Sequence, residues 1–297
     1  MASTPIIVGE QLFDYLPDGS AVQGGAPFNV ASHLKGLGGD PLLIGRLGSD
    51  SWGEQVLQRM QQRGLRTGGI QRDPIYPTGQ VKVSLVEGQP SYEIMIDQAY
   101  DFIEATQALA AIETTGSPGL LYHGTLAHRT PLARQQLQTL WQQTQLPTFL
   151  DLNLRDPWWD RDWITTCLEQ ATWVKLNDHE LASVLEDQIC PDRLERQARA
   201  VQIRFNLSLV VVTLGAKGAL LLTPDQIIHQ DPVVVPTLIN TVGAGDAFCS
   251  VVIWGLLQDW DPRVTLARAA HFAAHICGLA AATPDPSVYS QILALQP

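Results

Sequence analysis

The chain has 297 residues, 45% of them hydrophobic and 16% charged, enough to bury a full core in one α/β domain carrying an insertion. Its formal net charge of -11 argues against nucleic acid, whose binding needs clustered Lys and Arg, so any phosphate must be held by local N–H groups, a metal ion and a few basic residues. Cys167, Cys190, Cys249 and Cys277 show no Cys-x-x-Cys spacing, and no apolar run reaches membrane-spanning length, so a reduced, cytoplasmic protein without a membrane partner is expected.

Pro5 to Val8 is a short apolar strand ending in Gly9-Glu10, with Asp14 close behind. Open α/β sheets place ligand contacts just past the C-terminal ends of buried strands, although an exposed turn residue reads equally well. Gly24-Gly25-Ala26-Pro27-Phe28-Asn29 then feeds a helix whose start suits Pro27 and whose stop is supplied by the glycines beyond Leu37. Asn29 projects from its first turn, where an amide can both donate to and accept from a sugar hydroxyl, or can serve as an ordinary polar first-turn residue. Pro41 to Leu47 is another strand and Trp52 to Arg63 a helix.

Between Thr78 and Asp97 the pattern changes. Val81, Val83 and Leu85 alternate with polar residues, Glu87-Gly88-Gln89-Pro90 turns the chain, and Tyr92, Ile94 and Ile96 alternate again. This predicts a half-exposed antiparallel hairpin. Inserted among α/β units, it suits a cover over a substrate cleft or an edge that forms a dimer.

Strands and helices then alternate. Leu120 to His123, Thr148 to Leu152, Trp173 to Leu176, Leu209 to Leu214 and Ala219 to Leu222 read as strands, and the segments from Pro131 to about Gln143, Asp178 to Leu185 and Arg193 to Val201 as helices. Buried strands alternating with helices give a mainly parallel sheet covered on both faces, with the strand C-termini along one edge.

Three polar groups fall at that edge. Asp151-Leu152-Asn153-Leu154-Arg155 alternates polar with apolar, aiming its polar side chains to one side, and Arg155 suits an anion; an Asp–Arg pair that fixes a loop is the competing reading. Asn177 and Glu180 form a capping box in sequence, or a pair that orders water around magnesium. Thr213-Leu214-Gly215-Ala216-Lys217-Gly218 lets a nucleotide lie close to the backbone, or is a hairpin turn.

The stretch Asn240-Thr241-Val242-Gly243-Ala244-Gly245-Asp246 opens the almost wholly apolar segment Ala247 to Leu257, so a turn leading into a buried helix is expected. A helix start leaves N–H groups without intrahelical partners and favours anions. Gly243 and Gly245 would let a phosphate approach those groups, and Asp246 beside it could take a proton from an attacking hydroxyl. A tight turn with a dipole-friendly Asp explains these residues alone equally well. His271 and His275, spaced i and i+4 in the helical run Val264 to Ala281, lack a partner for a zinc signature. Neither a P-loop nor a Gly-x-Gly-x-x-Gly fingerprint is present.

The constellation resembles the ribokinase-like (PfkB) sugar kinase family over essentially the whole chain. Gly24-Gly25-Ala26-Pro27-x-Asn29-x-Ala31, with Gly38 and Gly48, is similar to its N-terminal signature, and Asn240 to Asp246 to its C-terminal one. The resemblance implies a three-layer α/β/α fold with a mainly parallel central sheet, residues 1–297 forming one sugar kinase domain into which segments 16–27 and 78–97 are inserted as a small β lid.

It also implies ATP-dependent phosphorylation of a sugar with magnesium. Asp246 would be the base, and the N–H groups of Gly243, Ala244 and Gly245 an anion hole. Asp14, Gly25 and Asn29 would hold sugar hydroxyls, with Arg155 near the substrate. Asn177 and Glu180 would organise magnesium and phosphates through water, Thr213, Gly215 and Gly218 would line the nucleotide, and His271 and His275 would lie near adenine. A homodimer through the lid is a further outcome the resemblance allows.

Fructokinase-like members are most similar, in Ala99-Tyr100-Asp101-Phe102-Ile103 and in Asp151-x-Asn153-x-Arg155 ahead of Trp158-Trp159. Ser91 to Asp97 has no Lys or Arg, which favours fructose over 2-keto-3-deoxygluconate, while Lys82 and Arg155 keep the sugar acid open. Ribokinase and nucleoside kinase activities, or a catalytically silent nucleotide- or sugar-binding protein, are the alternatives. Asn240 stands where the family commonly has Asp, which makes dependence on a monovalent cation (K+) doubtful, and Val251 stands where a small residue is usual.

Overall fold

The computed structural model describes residues 3–86, 89–284 and 288–289. From the N-terminus, β1 (Thr4–Val8), β2 (Leu12–Tyr15) and β3 (Ala21–Gly24) precede α1 (Ala26–Gly36), β4 (Leu42–Gly48), α2 (Ser51–Gln62) and β5 (Ile70–Asp73). The hairpin β6 (Gly79–Val86) and β7 (Gln89–Ile94) follows, then α3 (Ala105–Glu113), β8 (Pro118–His123), α4 (Pro131–Thr144), β9 (Thr148–Asp151) and α5 (Arg161–Gln170). The chain ends through β10 (Trp173–Asn177), α6 (Asp178–Leu185), α7 (Leu194–Arg204), β11 (Leu209–Thr213), β12 (Ala219–Leu222), β13 (Ile227–Gln230), α8 (Ala244–Leu257) and α9 (Pro262–Cys277).

The nine-stranded sheet runs β13-β12-β11-β10-β9-β8-β1-β4-β5. From β11 to β5 the neighbours are parallel, whereas β12 and β13 are antiparallel. Alternate residues of each strand serve opposite layers. On β1, Ile7 packs with α1, α2, α8 and α9, while Ile6 and Val8 pack with the core of α3 to α7. The result is the expected three-layer α/β/α architecture. Among the described residues no helix is long and apolar enough to cross a membrane.

A separate four-stranded sheet, β3-β2-β6-β7, stands beside the strand ends. Its register puts Leu12, Asp14, Val22, Val81, Val83, Tyr92 and Ile94 on one face. Leu12, Val81 and Ile94 cluster there with Tyr100, Leu126, Ala127 and Trp158. Lys82 is exposed on the opposite face.

Several boundaries differ from the sequence reading. β2 lies ahead of the expected segment 16–27, and Ala26 and Pro27 belong to α1. The turn residues Glu87 and Gly88 lie outside the described residues. α9 ends at Cys277, short of Ala281. Of the two readings of the segment after Thr213, the structure has the hairpin turn, which joins antiparallel β11 and β12 and leaves the sheet mainly parallel with an antiparallel edge.

Candidate active site

β1 is the strand at which the chain reverses its direction of travel across the sheet: it goes outward to β4 and β5, then returns to β8 on the other side. Open α/β sheets form their ligand crevice at such a switch point, outside the strand C-termini. Glu10 follows β1, Asp151 closes β9, Asn177 closes β10 and Thr213 closes β11. The sequence therefore brings these side chains to one edge.

Two helix starts converge on that edge. Gly25 caps α1 with φ 102°, and a Cβ there would fall 2.6 Å from the Glu10 carbonyl oxygen, so only glycine admits this close approach. Gly243 caps α8 with φ 79°, without a side-chain cap. The N–H of Ala244 donates to the Thr241 carbonyl at 3.3 Å, while among the described residues no hydrogen bond engages the N–H of Gly243 or Gly245. Of the three expected anion-hole donors, two thus stand free.

Asp246, in the first turn of α8, is half-buried. Asn29, in the first turn of α1, donates through Nδ2 to its Oδ2 at 2.7 Å. Burial pushes the Asp246 carboxyl up to about 6, against the Asn29 hydrogen bond; Asp151 adds to the rise, and Lys175 and Arg155 oppose it. A carboxylate poised there can accept a proton near neutral pH.

Asp14 sits on β2 on the crevice-facing side of the small sheet, raised by burial against the pull of Arg155. Arg155 is exposed, and its charge acts on Glu10, Asp14 and Asp246 alike. The structure thus brings together Asp14, Gly25, Asn29, Arg155, Gly243, Gly245 and Asp246.

The competing reading, an Asp151–Arg155 pair fixing the loop, is not found among the described residues. Asp151 instead accepts from Lys175 Nζ at 2.9 Å in a buried ion pair. A Cβ on Gly245 would lie 3.4 Å from the same Nζ, which places the pair against the first turn of α8. Asn153 takes a positive φ of 39° just past β9, so the polar alternation does not continue as a strand.

Asn177 and Glu180 form the capping box. Asn177 Oδ1 accepts from the Glu180 N–H and Glu180 Oε2 from the Asn177 N–H, both at 2.8 Å. Glu180 Oε1 accepts from the Leu154 N–H at 2.9 Å. Both carboxylate oxygens are committed to backbone, and the described residues contain no cluster of three metal-ligating side chains. The pair therefore fits a metal only through intervening water or phosphate.

Thr213 ends β11, and Gly215 and Gly218, with φ of 57° and 97°, shape the turn after it. A Cβ on Gly218 would meet the Gln230 carbonyl oxygen at 2.1 Å, whereas the space at Gly215 is open. His271 and His275 are exposed on α9. The backbone carbonyl at the end of that helix, on Cys277, accepts from the Ile239 N–H at 2.9 Å, tying it to the segment that leads into the glycine turn.

Glu10 and Lys175 escaped the sequence reading as site residues. Lys175 sits in an apolar run, where a lone charged residue in a buried strand is itself a signal for a paired charge. Glu10 was visible only as the residue after β1.

The family model described as pfkB family carbohydrate kinase matches residues 11–287. A fructokinase of Klebsiella pneumoniae is 28% identical over 293 residues, spanning 93% of this chain and 92% of that protein. The fructokinase of Vibrio cholerae O395, as a double mutant with fructose, ADP and potassium ion bound, aligns with a TM-score of 0.80 and 25% identity over 98% of both chains. The ATP-bound fructokinase of Xylella fastidiosa aligns with a TM-score of 0.85 over 99% of this chain and 98% of its own, at 22% identity, and so speaks to the fold alone. With a matching family model over most of its length and the strand-end crevice that the fold requires, the chain belongs to the pfkB family of carbohydrate kinases.

Proposed function

We propose that this kinase transfers the γ-phosphoryl of ATP to a hydroxyl of fructose. The observation that carries the reading is Asp246, a carboxylate poised near neutral pH in the same helical turn as the unengaged N–H of Gly245. Asp246 takes the proton of the attacking hydroxyl as the N–H groups of Gly243 and Gly245 receive charge developing on the transferred group. Asn29 orients that carboxylate, and the turn of Thr213, Gly215 and Gly218 together with α9, bearing His271 and His275, would flank the nucleotide.

Mg2+ on the ATP phosphates would neutralise charge on the bridging oxygens. Asn177 and Glu180 suit an outer role there, since Glu180 is already satisfied by backbone donors.

Fructose is preferred because carboxyl groups outnumber cations in the crevice. Glu10, Asp14 and Asp246 outnumber Arg155, Lys82 is on the far face of the small sheet, and buried Arg129 is held by Asp101 through two hydrogen bonds of 2.8 and 2.7 Å. Among these residues a sugar acid would meet the single charge of Arg155 set against three carboxyl groups. The fructokinase relatives support the same choice.

The small sheet would close over the sugar. Its crevice-side apolar face continues over Val22 and Tyr92, which are 50% and 59% exposed, supporting pairing of two lids. Four free cysteines suit work in the cytoplasm.

The test is ADP formation with ATP and magnesium on a panel of fructose, ribose, 2-keto-3-deoxygluconate and nucleosides. Fructose should give the highest kcat/KM. No ADP above the sugar-free rate with any of them would overturn the kinase reading for these substrates.

A further inference from the structure

Glu10 is 4% exposed, and its Oε2 has no hydrogen-bond partner among the described residues. A buried carboxylate oxygen without a donor is costly and calls for a partner. Its other contacts are local. Its own N–H and that of Ala26, the first residue of α1, favour the charged form of the carboxyl against its burial, and the Gly25 backbone packs on the Glu10 carbonyl.

The surroundings set this open acceptor at the wall of the crevice. Glu10 follows β1 at the switch point of the sheet, and its carboxyl feels both Asp246 and Arg155. From the other side, buried Tyr100 feels Glu10 and lines the inner face of the small sheet. One turn along α1, Asn29 spends Nδ2 on Asp246 while its buried Oδ1 also lacks a donor. Glu10 Oε2 and Asn29 Oδ1 are open acceptors, the Tyr100 hydroxyl and Arg129 Nη1 beside them lack partners among the described residues as well, and a polyol hydroxyl both donates and accepts without adding charge.

We infer that Glu10 is a specificity-determining residue: its Oε2 accepts a hydrogen bond from a sugar hydroxyl other than the one Asp246 deprotonates. This rests on the sugar-kinase reading above and assigns to Glu10 a contact that discriminates among polyols. A site built to accept from a hydroxyl penalises the analogue that lacks it.

The experiment pairs Glu10→Gln with monodeoxy analogues of the sugar that the panel identifies. Wild type and E10Q are compared by kcat/KM on the parent sugar and on each analogue, with nucleotide affinity and melting temperature as controls. The wild type should lose about 10- to 100-fold on the analogue lacking the partner hydroxyl. E10Q should lose a similar factor on the parent sugar and on the other analogues, yet little on that one analogue. Nucleotide affinity should stay unchanged. An E10Q penalty equal across all analogues, or one confined to nucleotide affinity, would mean that Glu10 only supports the start of α1 and would overturn the assignment. A wild type that turns over no sugar would remove both readings, whereas the first pattern removes this one alone.

Discussion

Asn29 and Asp246 are 217 residues apart in the chain, yet Asn29 Nδ2 donates to Asp246 Oδ2 at 2.7 Å, joining the first turns of α1 and α8. The bond favours the charged carboxylate, while burial, the larger influence, opposes it. Asp246 must be deprotonated to act as a base, so kcat/KM should fall below pH 6, near its raised value. Removing the donor in Asn29→Ala should move that acidic limb up by about one pH unit, with much of the lost rate recovered at higher pH. Asp246→Asn should lower kcat by about 100- to 10,000-fold while ATP still binds. An unchanged pH profile in N29A would remove the coupling.

Glu10 gives a stability prediction with a definite sign. Burial raises its pKa from 4.5 to about 7, so the folded protein holds this proton more tightly than the unfolded chain. Its contribution is fully favourable below pH 4.5 and is lost as pH rises through 7, a cost of roughly 3 kcal/mol by pH 8. Glu10→Gln should therefore stabilise the protein at pH 8 and leave it nearly unchanged at pH 4, measured by denaturant unfolding at both. A destabilised E10Q at pH 8 would contradict this account.

The α/β class was legible because β1, β9, β10 and β11 are predominantly apolar and buried on both faces, and such runs leave little choice but a covered sheet. The glycine turns were legible because Gly25 and Gly243 hold positive φ where other residues are strained. The antiparallel edge was legible only as one of two readings, since Ala219 to Leu222 has the same apolar run as a parallel strand and the short connection through Gly215 is what points to a hairpin. Lys175 was hidden because its partner, Asp151, lies one strand away and pairing is a tertiary event. Glu10 was passed over because its distinction is an unmet oxygen, which no spacing encodes.

The two glycines of the α8 turn should respond differently to alanine. At Gly243 a Cβ would fall 2.5 Å from Ala282 Cβ at φ 79°, whereas at Gly245 the nearest atom is Lys175 Nζ at an ordinary 3.4 Å. Gly243→Ala should cost at least about 1 kcal/mol of stability. Gly245→Ala should melt near the wild-type temperature while its methyl crowds the approaching phosphate, so that kcat/KM for ATP drops. Equal melting of the two variants would refute the distinction.

The Lys175–Asp151 pair lies against this same turn, with the two residues 6% and 1% exposed. Lys175→Met strands a buried carboxylate and should destabilise by about 3–5 kcal/mol. Adding Asp151→Leu should restore much of that loss, because the lone charge is gone. If the double variant proves no more stable than K175M in a urea titration, the pair is not the source of the effect.

Asn240 bears on monovalent cations. Its Nδ2 donates to the Leu279 carbonyl at 2.9 Å and lies 3.4 Å from the Ala280 carbonyl, while its Oδ1 accepts from the Val242 N–H at 2.9 Å. An Asp here would face two carbonyl oxygens with a third acceptor, an arrangement that a bound cation reconciles and an amide makes unnecessary. The Vibrio cholerae fructokinase has been captured with potassium ion; this chain is expected to work without it. Turnover should be the same in potassium chloride and in choline chloride of equal ionic strength. Asn240→Asp should be severalfold slower in choline and regain its rate in potassium, and a wild type that itself speeds up severalfold with potassium would show that the amide does not replace the ion.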